Sequence, residues 1–214
     1  MSYDALSHIR TWIFDLDNTL YPSEARLFDQ IEVLMVDYVM QALGVDRARA
    51  DYLRAHYWRT HGTTLAGLMR EHDLDPVPYL KYVHDIDLSG LKRDPVFREN
   101  IEALPGRKIV YTNGSQHHAE RVLEARGLTD AFEAIFGIED ANYLPKPDRA
   151  AFEIVFKAAA VDRTKAAMFE DDSRNLIVPH EMGLGTVLVG RVEPAAHIHH
   201  QTTDLSEFLT RLVW

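Results

Sequence analysis

The stretch Ile13-Phe14-Asp15-Leu16-Asp17-Asn18-Thr19-Leu20-Tyr21-Pro22 decides the reading of this 214-residue chain. Asp15 and Asp17 follow the apolar run Trp12-Ile13-Phe14. Such a run reads as a buried strand, and the ends of strands are where open α/β sheets carry their ligands. Residues two apart on an extended backbone point the same way, so Asp15 and Asp17 can share a site while Leu16 faces away. Two carboxylates brought that close need a cation between them or a proton on one of them. Both remedies suit phosphoryl transfer, with one carboxylate as nucleophile and the other as acid/base. Alone, the same string is also an ordinary polar corner, so the remaining parts of a site must be sought downstream.

Composition narrows the classes. A formal net charge of −10 and a pI near 5.5 argue against nucleic-acid polymers and anionic membranes, which need basic surfaces. The chain has no cysteine, which removes disulfides, thiolate metal sites and Cys nucleophiles. Its opening, MSYDALSHIR, lacks the basic flank and apolar run of a signal peptide, and no long uncharged apolar run follows. The expectation is a cytoplasmic protein.

Strand and helix signals alternate through most of the chain. Thr11 to Asp15, Lys108 to Thr112, Ala134 to Ile138, Lys165 to Glu170 and Thr186 to Val189 read as strands, with helices over Ser115 to Arg126, Asp148 to Ala160 and Asn175 to Met182. This pattern predicts an α/β, Rossmann-like parallel sheet with helices on both faces. From Ser23 to about Asp87 the texture is helical throughout. Ser23 can cap a helix ending near Gly44, and Asp46 the next; shorter pieces follow at Leu65 to His72 and Pro78 to His84. An all-helical stretch directly after the first strand should project as an insertion above that strand's end.

Several expected strands end in polar groups, which a parallel sheet brings to one edge. Thr112 and Asn113 offer a hydroxyl and an amide to a phosphoryl oxygen, although Thr-Asn-Gly is also a common turn. Lys146 stands between Pro145 and Pro147, which restrict the backbone and aim one cation; the same residues can form a rigid surface loop. Glu170-Asp171-Asp172-Ser173 places three acids after an apolar strand, a hard-oxygen set suited to Mg²⁺, while Asp172 or Ser173 can also cap the next helix. His197, His199 and His200 suit a transition metal or, more simply, a solvated linker. His117 and His118 read as a plain helix N-terminus, adjacent to Thr112 to Ser115.

In this order, Asp15-x-Asp17-x-Thr19, Thr112-Asn113, Lys146 and Asp171-Asp172 resemble the haloacid dehalogenase-like superfamily of aspartyl-nucleophile phosphatases. The resemblance covers essentially the whole chain. Within the superfamily, FDLDNTLYP, His61 to Leu68, Tyr82 to Leu91 and Lys146 to Glu153 resemble the pyrimidine 5′-nucleotidase branch. The resemblance implies that Asp15 attacks phosphorus and that Asp17 protonates the leaving oxygen and then activates water. It implies that Thr112, Asn113 and Lys146 hold the phosphoryl group, and that Asp15, the carbonyl of Asp17, Asp171 and Asp172 hold Mg²⁺. Residues 1–20 and 92–214 would be the catalytic core and residues 21–91 a helical cap. Substrate choice would live in that cap, with Tyr21 at the hinge and Arg54, Tyr57, His61, Thr63 and Thr64 as candidates. Arg54 can equally be a solvated helix face and Tyr57 an interior residue of the cap.

The function expected is a Mg²⁺-dependent phosphomonoesterase acting on small esters, as a monomer or homodimer. Pyrimidine nucleoside 5′-monophosphates fit best, since a small cap leaves room for one ring more easily than two. Phosphoglycolate or sugar phosphates are the alternatives. A dehalogenase is disfavoured because a halide needs no proton from Asp17. A non-catalytic binding protein is disfavoured because it has no use for Asp17 at all.

Overall fold

The computed structural model describes residues 6–213. Its sheet has the strands β1 (Thr11–Phe14), β2 (Arg107–Tyr111), β3 (Ala134–Phe136), β4 (Ala166–Glu170), β5 (Gly185–Val189) and β6 (His200–Thr202). They lie in the order β3-β2-β1-β4-β5-β6, every pair parallel. All four residues of β1 and all five of β4 are buried, as expected where helices cover both faces of a parallel sheet. The Rossmann-like fold expected from the alternating pattern is therefore the one observed.

One face of the sheet presents Trp12, Phe14, Val110, Phe169 and Val187. It packs against α5 (Pro95–Ala103), α6 (Gln116–Arg126) and α9 (Leu205–Val213) through Ile101, Val122 and Leu209. The stacked rings of Phe14 and Phe169, 4.6 Å apart, fix the pairing of β1 with β4. The other face presents Ile13, Ile109, Tyr111, Met168 and Leu188 to α7 (Arg149–Ala158) and α8 (Ile177–Glu181). The chain builds outward from β1 to β2 and β3, then crosses back to place β4 on the opposite side of β1. That reversal opens a crevice between the carboxyl ends of β1 and β4, where ligands of such sheets bind.

Between β1 and α5 come α1 (Leu27–Leu43), α2 (Arg47–His61), α3 (Thr64–His72) and α4 (Pro76–Val83). Asp46, Thr63 and Asp75 cap the last three through side-chain oxygens. Ser23 does not cap α1: Ser23–Ala25 form a 3₁₀ turn, and Arg26, at φ 53°, breaks the helix before Leu27. The helix expected over Asn175 to Met182 starts as a 3₁₀ turn at Ser173–Leu176 and becomes α-helical at Ile177. No helix among the described residues is long and apolar enough to cross a membrane.

The linker expected around His197 to His200 is instead ordered into the sheet edge. His199 Nδ1 lies 2.8 Å from Thr186 Oγ1, His197 Nε2 lies 2.9 Å from Ser173 O, and buried His200 opens β6. These imidazoles are engaged by the protein itself. Among the described residues they belong to no cluster of three or more potential metal ligands.

Candidate active site

Asp15 continues the β1 ladder, its N–H donating to Phe169 O at 2.9 Å, and so stands at the crevice. Lys146 Nζ, 1% exposed, donates to Asp15 Oδ1 at 2.7 Å, Glu170 Oε1 at 2.5 Å and Tyr111 O at 3.0 Å. All three ammonium hydrogens are thereby used. Thr19 Oγ1 donates to the other Asp15 oxygen at 3.2 Å. Asn113 braces the lysine loop, its Oδ1 accepting from Lys146 N at 2.8 Å and its Nδ2 donating to Lys146 O at 3.1 Å. Thr112 Oγ1 accepts from Gly114 N at 2.9 Å, which leaves its hydroxyl hydrogen for a ligand in the crevice.

Charge here is out of balance. Burial works against the Lys146 ammonium, but Asp15 and Glu170 outweigh it and hold its pKa above the ordinary lysine value. One ammonium cannot satisfy every acid it meets. Burial raises the Asp15 carboxyl in spite of Lys146, with Asp17 adding to the rise. Glu170 lies well above its ordinary range through burial and the charge of Asp15. Asp171 is pushed up to about 7 by burial and then by Asp15. Oxygens of Asp15, Glu170 and Asp171 lie within 4.8 Å of one another. Crowded, buried oxygens short of positive charge are what a hard divalent cation requires, so the residues present fit Mg²⁺.

In the sequence Glu170 stands out only as one of a run of acids. Its oxygens are already engaged by Lys146, by Asn175 Nδ2 at 2.9 Å and by the N–H of Asp172 at 3.1 Å. That makes it a counter-charge for the lysine and leaves Asp15 and Asp171 as the freer carboxylates. Asn18 Nδ2 reaches Asp171 at 3.4 Å. Asp172, expected beside the metal, is not in the acidic cluster: it caps the turn at Arg174 N and pairs with the Arg174 guanidinium at 2.6 Å. Burial opposes its charge, and Arg174 overcomes that to hold Asp172 below the usual carboxylate range. The Arg174 guanidinium lies 3.7 Å from the ring centre of Trp58 in α2, which ties this loop to the helical insertion.

Asp17 is held by two donors on one oxygen. Tyr21 OH donates to Oδ1 at 2.6 Å and His118 Nε2 lies 2.9 Å from the same atom. Burial raises its pKa, but the His118 imidazole, its hydrogen bond and that of Tyr21 outweigh burial and bring it down to about 2. Asp17 is therefore ionised in the ligand-free crevice. Tyr21, expected at the hinge of the cap and among the substrate contacts, is tied to Asp17 where the chain passes from β1 into the insertion. His118 is fully buried and belongs to the site rather than to a plain helix start. Its neighbour Ser115, the N-cap of α6, and His84, at the end of α4, complete this group. The side of α6 that turns inward was the missing signal: His118, Ala119 and Val122 share one buried face.

A cavity of about 700 Å³ opens above these groups. Its far wall is the insertion, with Phe28, Ile31, Met35, Leu65, Leu80 and Val83 as the apolar part. Arg54 lines it while paired with Glu32 at 2.8 Å, and Thr63 and Thr64 line it at the start of α3. Tyr57 and His61 are not among the lining residues. Tyr57 packs inside the insertion, its OH 2.6 Å from His72 Nε2 and its ring against Gly67, where a Cβ would come within 2.1 Å. His61 pairs with Glu71 at 3.3 Å. Such a volume lies well inside the usual range for ligand sites, about 300–1,000 Å³. It does not select one ring over two, which removes the steric reason for preferring pyrimidines.

Residues 9–183 match the family model described as haloacid dehalogenase-like hydrolase. The chain belongs to this family. "Phosphate metabolism protein 8" of Saccharomyces cerevisiae is 27% identical over 197 residues, covering 84% of this chain and 61% of that protein. The present chain thus spans about three fifths of that curated relative. Among solved structures, CbbY from Rhodobacter sphaeroides in complex with phosphate superposes with a TM-score of 0.65 at 18% identity, covering 94% of this chain and 96% of that one. L-2-haloacid dehalogenase from Xanthobacter autotrophicus, with chloropropionic acid covalently bound, gives 0.59 at 14% identity, covering 96% and 98%. At such identities these two likenesses speak for the fold alone. Membership places the chain in a hydrolase family but does not choose between ester and carbon–halogen bonds.

Proposed function

We propose that this hydrolase is a phosphomonoesterase that works through an aspartyl-phosphate on Asp15. The observation that carries the reading is Asp17: a second carboxylate, lining the cavity with Asp15 and held by Tyr21 and His118. Halide departure needs no proton, whereas an alkoxide leaving from phosphorus does.

In the first step an Asp15 oxygen attacks phosphorus, the bond to the leaving oxygen breaks, and that oxygen takes a proton from Asp17. Water then attacks the phosphorus and gives a proton to Asp17, and the bond to Asp15 breaks to release phosphate. Asp17 gives up that proton once phosphate leaves. In the empty crevice Asp17 is ionised, so the first proton enters with the substrate, as a phosphate monoanion whose own ionisation lies at about 6. Lys146 neutralises Asp15 as the anionic ester approaches, and the Thr112 hydroxyl is available to a phosphoryl oxygen. Asp15 and Asp171, with the Asp17 carbonyl that the family pattern implies, would hold Mg²⁺, with Asp172 beside them only if it leaves Arg174. That ion would supply the positive charge the carboxylates lack.

Residues 21–91 act as the cap that selects the ester, and the core lies on either side of them in the chain. Nucleoside 5′-monophosphates are the substrate class we favour, a cytoplasmic pool of small esters; the support is the resemblance at His61 to Leu68 and Lys146 to Glu153. The test is phosphate release from p-nitrophenyl phosphate with and without Mg²⁺, beside chloride release from 2-chloropropionate. Mg²⁺-dependent phosphate release is the expected result. Chloride release without phosphatase activity would overturn the reading.

A further inference from the structure

Two hydrogen-bond donors meet a single atom, Asp17 Oδ1, while Asp17 Oδ2 accepts no hydrogen bond among the described residues. This asymmetry is built from four separate parts of the chain. Asp17 follows β1, Tyr21 enters the helical insertion, His84 leaves it at the end of α4, and Ser115 and His118 open α6. The His118 ring lies parallel to that of His84, 4.3 Å away at 9°, and the backbone N–H of His118 donates to Ser115 Oγ at 3.2 Å. His84 Nδ1 is hydrogen-bonded to the same Ser115 oxygen at 3.0 Å. The imidazole is thus held on its face and through its backbone. His118 Nδ1 is buried with no partner. An ionised carboxylate can only accept, so the ring nitrogen that meets it, Nε2, carries a hydrogen aimed at Asp17.

We propose that His118 is a positioning residue for proton transfer, fixing Asp17 by Oδ1 so that Oδ2 alone faces the leaving oxygen of the ester. The inference rests on the phosphomonoesterase reading and adds a residue that the family motifs in the sequence do not include. A carboxylate free to rotate would offer either oxygen in many orientations, and proton transfer needs one oxygen within hydrogen-bond reach of the departing atom. Tyr21 shares the task from the insertion side. Because Tyr21 and His84 lie on the two segments joining the insertion to the sheet, the orientation of Asp17 is tied to the seating of the insertion.

The test compares KM and the rate of aspartyl-phosphate formation, read by rapid quench, for p-nitrophenyl phosphate, whose leaving oxygen needs no proton, with those for an alkyl ester, glycerol 2-phosphate; the later hydrolysis draws on Asp17 for both esters alike. His118→Met fills the buried site without a donor. His118→Gln returns an amide nitrogen near the position of Nε2. For His118→Met we expect the formation rate with the alkyl ester to fall about 10–100-fold, a share of the usual acid–base contribution, with KM within about twofold and the formation rate with the aryl ester losing no more than about threefold. His118→Gln should recover the alkyl activity to within about fivefold. Equal losses of formation rate on both esters, or no rescue by Gln, overturn the proposal, since a merely structural role would lower both rates together. Should His118→Met fail to fold, Tyr21→Phe removes the other donor to Oδ1 and is read in the same way, an equal loss on both esters again overturning it. A wild-type protein inactive on both esters would instead strike the phosphomonoesterase reading itself.

Discussion

The two walls of the cavity are built on opposite terms. On the sheet side nearly every polar atom has a fixed partner: Lys146 uses three hydrogens, Asp15 two oxygens, and Asp17 receives two donors on one atom. On the insertion side the wall is largely apolar, and Arg54 is bound only by partly exposed carboxylates. A preorganised polar wall does not have to reorient as charge develops, which is the larger part of electrostatic catalysis. A largely apolar wall with two adjustable cations, Arg54 and Arg59, recognises shape and tolerates exchange of partners. On the proposed reading, chemistry is set at the sheet edge before any ester arrives, and selection is left to the insertion.

The comparison breaks most completely at Asp15. Asp15→Asn should lower phosphatase kcat by at least about 10⁴-fold, because the amide cannot form the covalent intermediate. Rapid-quench measurement of phosphorylated protein reads this directly, and near-normal turnover would place the nucleophile elsewhere. Lys146→Met strikes catalysis and folding together. It leaves Asp15 and Glu170 buried without their cation, at a cost of about 3–5 kcal/mol, and should cut kcat by about 10²–10³-fold. Urea unfolding without Mg²⁺ checks the first part. An unchanged midpoint would mean that the two acids are already protonated and that the lysine contributes little.

A pH series sharpens the same wall. Asp171 has a folded pKa of about 7, raised above its ordinary value of 3.8. The folded protein therefore holds that proton more tightly than the unfolded chain, and this contribution to stability is lost as pH rises from about 4 through about 7. A cation bound there must displace the proton below pH 7. Apparent Mg²⁺ affinity should fall about tenfold per unit below that point, and the rise in Tm given by saturating Mg²⁺ should be larger at pH 8 than at pH 5.5. Calorimetric titration in two buffers of different ionisation enthalpy counts the protons released. Pure Mg²⁺ binding with no proton release at pH 6 would remove Asp171 from the ligand set.

What the sequence disclosed divides along the same line. Asp15, Thr112 and Lys146 were legible because the cues are local: each follows an apolar strand or lies between prolines, and parallel pairing brings such ends level. The partnership of Glu170 with Lys146 was not, since it joins residues 24 positions apart through the sheet. Neither was that of His84 with His118, whose rings meet only once the end of α4 docks on α6. Strand β6 has three residues and no apolar run, so only its hydrogen bonds reveal it. Helix α5, which the expected alternation of strands and helices does not place, has a local cue of its own: Asp94 followed by Pro95 is a cap and a favoured first residue. On the insertion side, helical periodicity marks which residues are buried but not which of two buried directions they take. That is why Tyr57 and Arg54 were indistinguishable as cavity residues.

The smallest effects test whether that last distinction is real. Arg54 is partly exposed and its bond to Glu32 is an ion pair of modest strength, about 0.2–1 kcal/mol for such geometry. A polar leaving group can therefore displace Glu32 at little cost. Arg54→Ala should raise KM for a nucleoside 5′-monophosphate about three- to tenfold and leave p-nitrophenyl phosphate within about twofold. Tyr57→Phe should do the reverse. It removes a hydroxyl bonded to His72 inside the insertion, which lowers Tm through about 0.5–1.5 kcal/mol of lost hydrogen bonding and leaves every KM unchanged. The pair of variants separates lining from packing within one four-helix unit. If Tyr57→Phe shifts KM as much as Arg54→Ala does, the insertion moves as a whole when it binds, and specificity belongs to its seating on the sheet rather than to the side chains that face the ester.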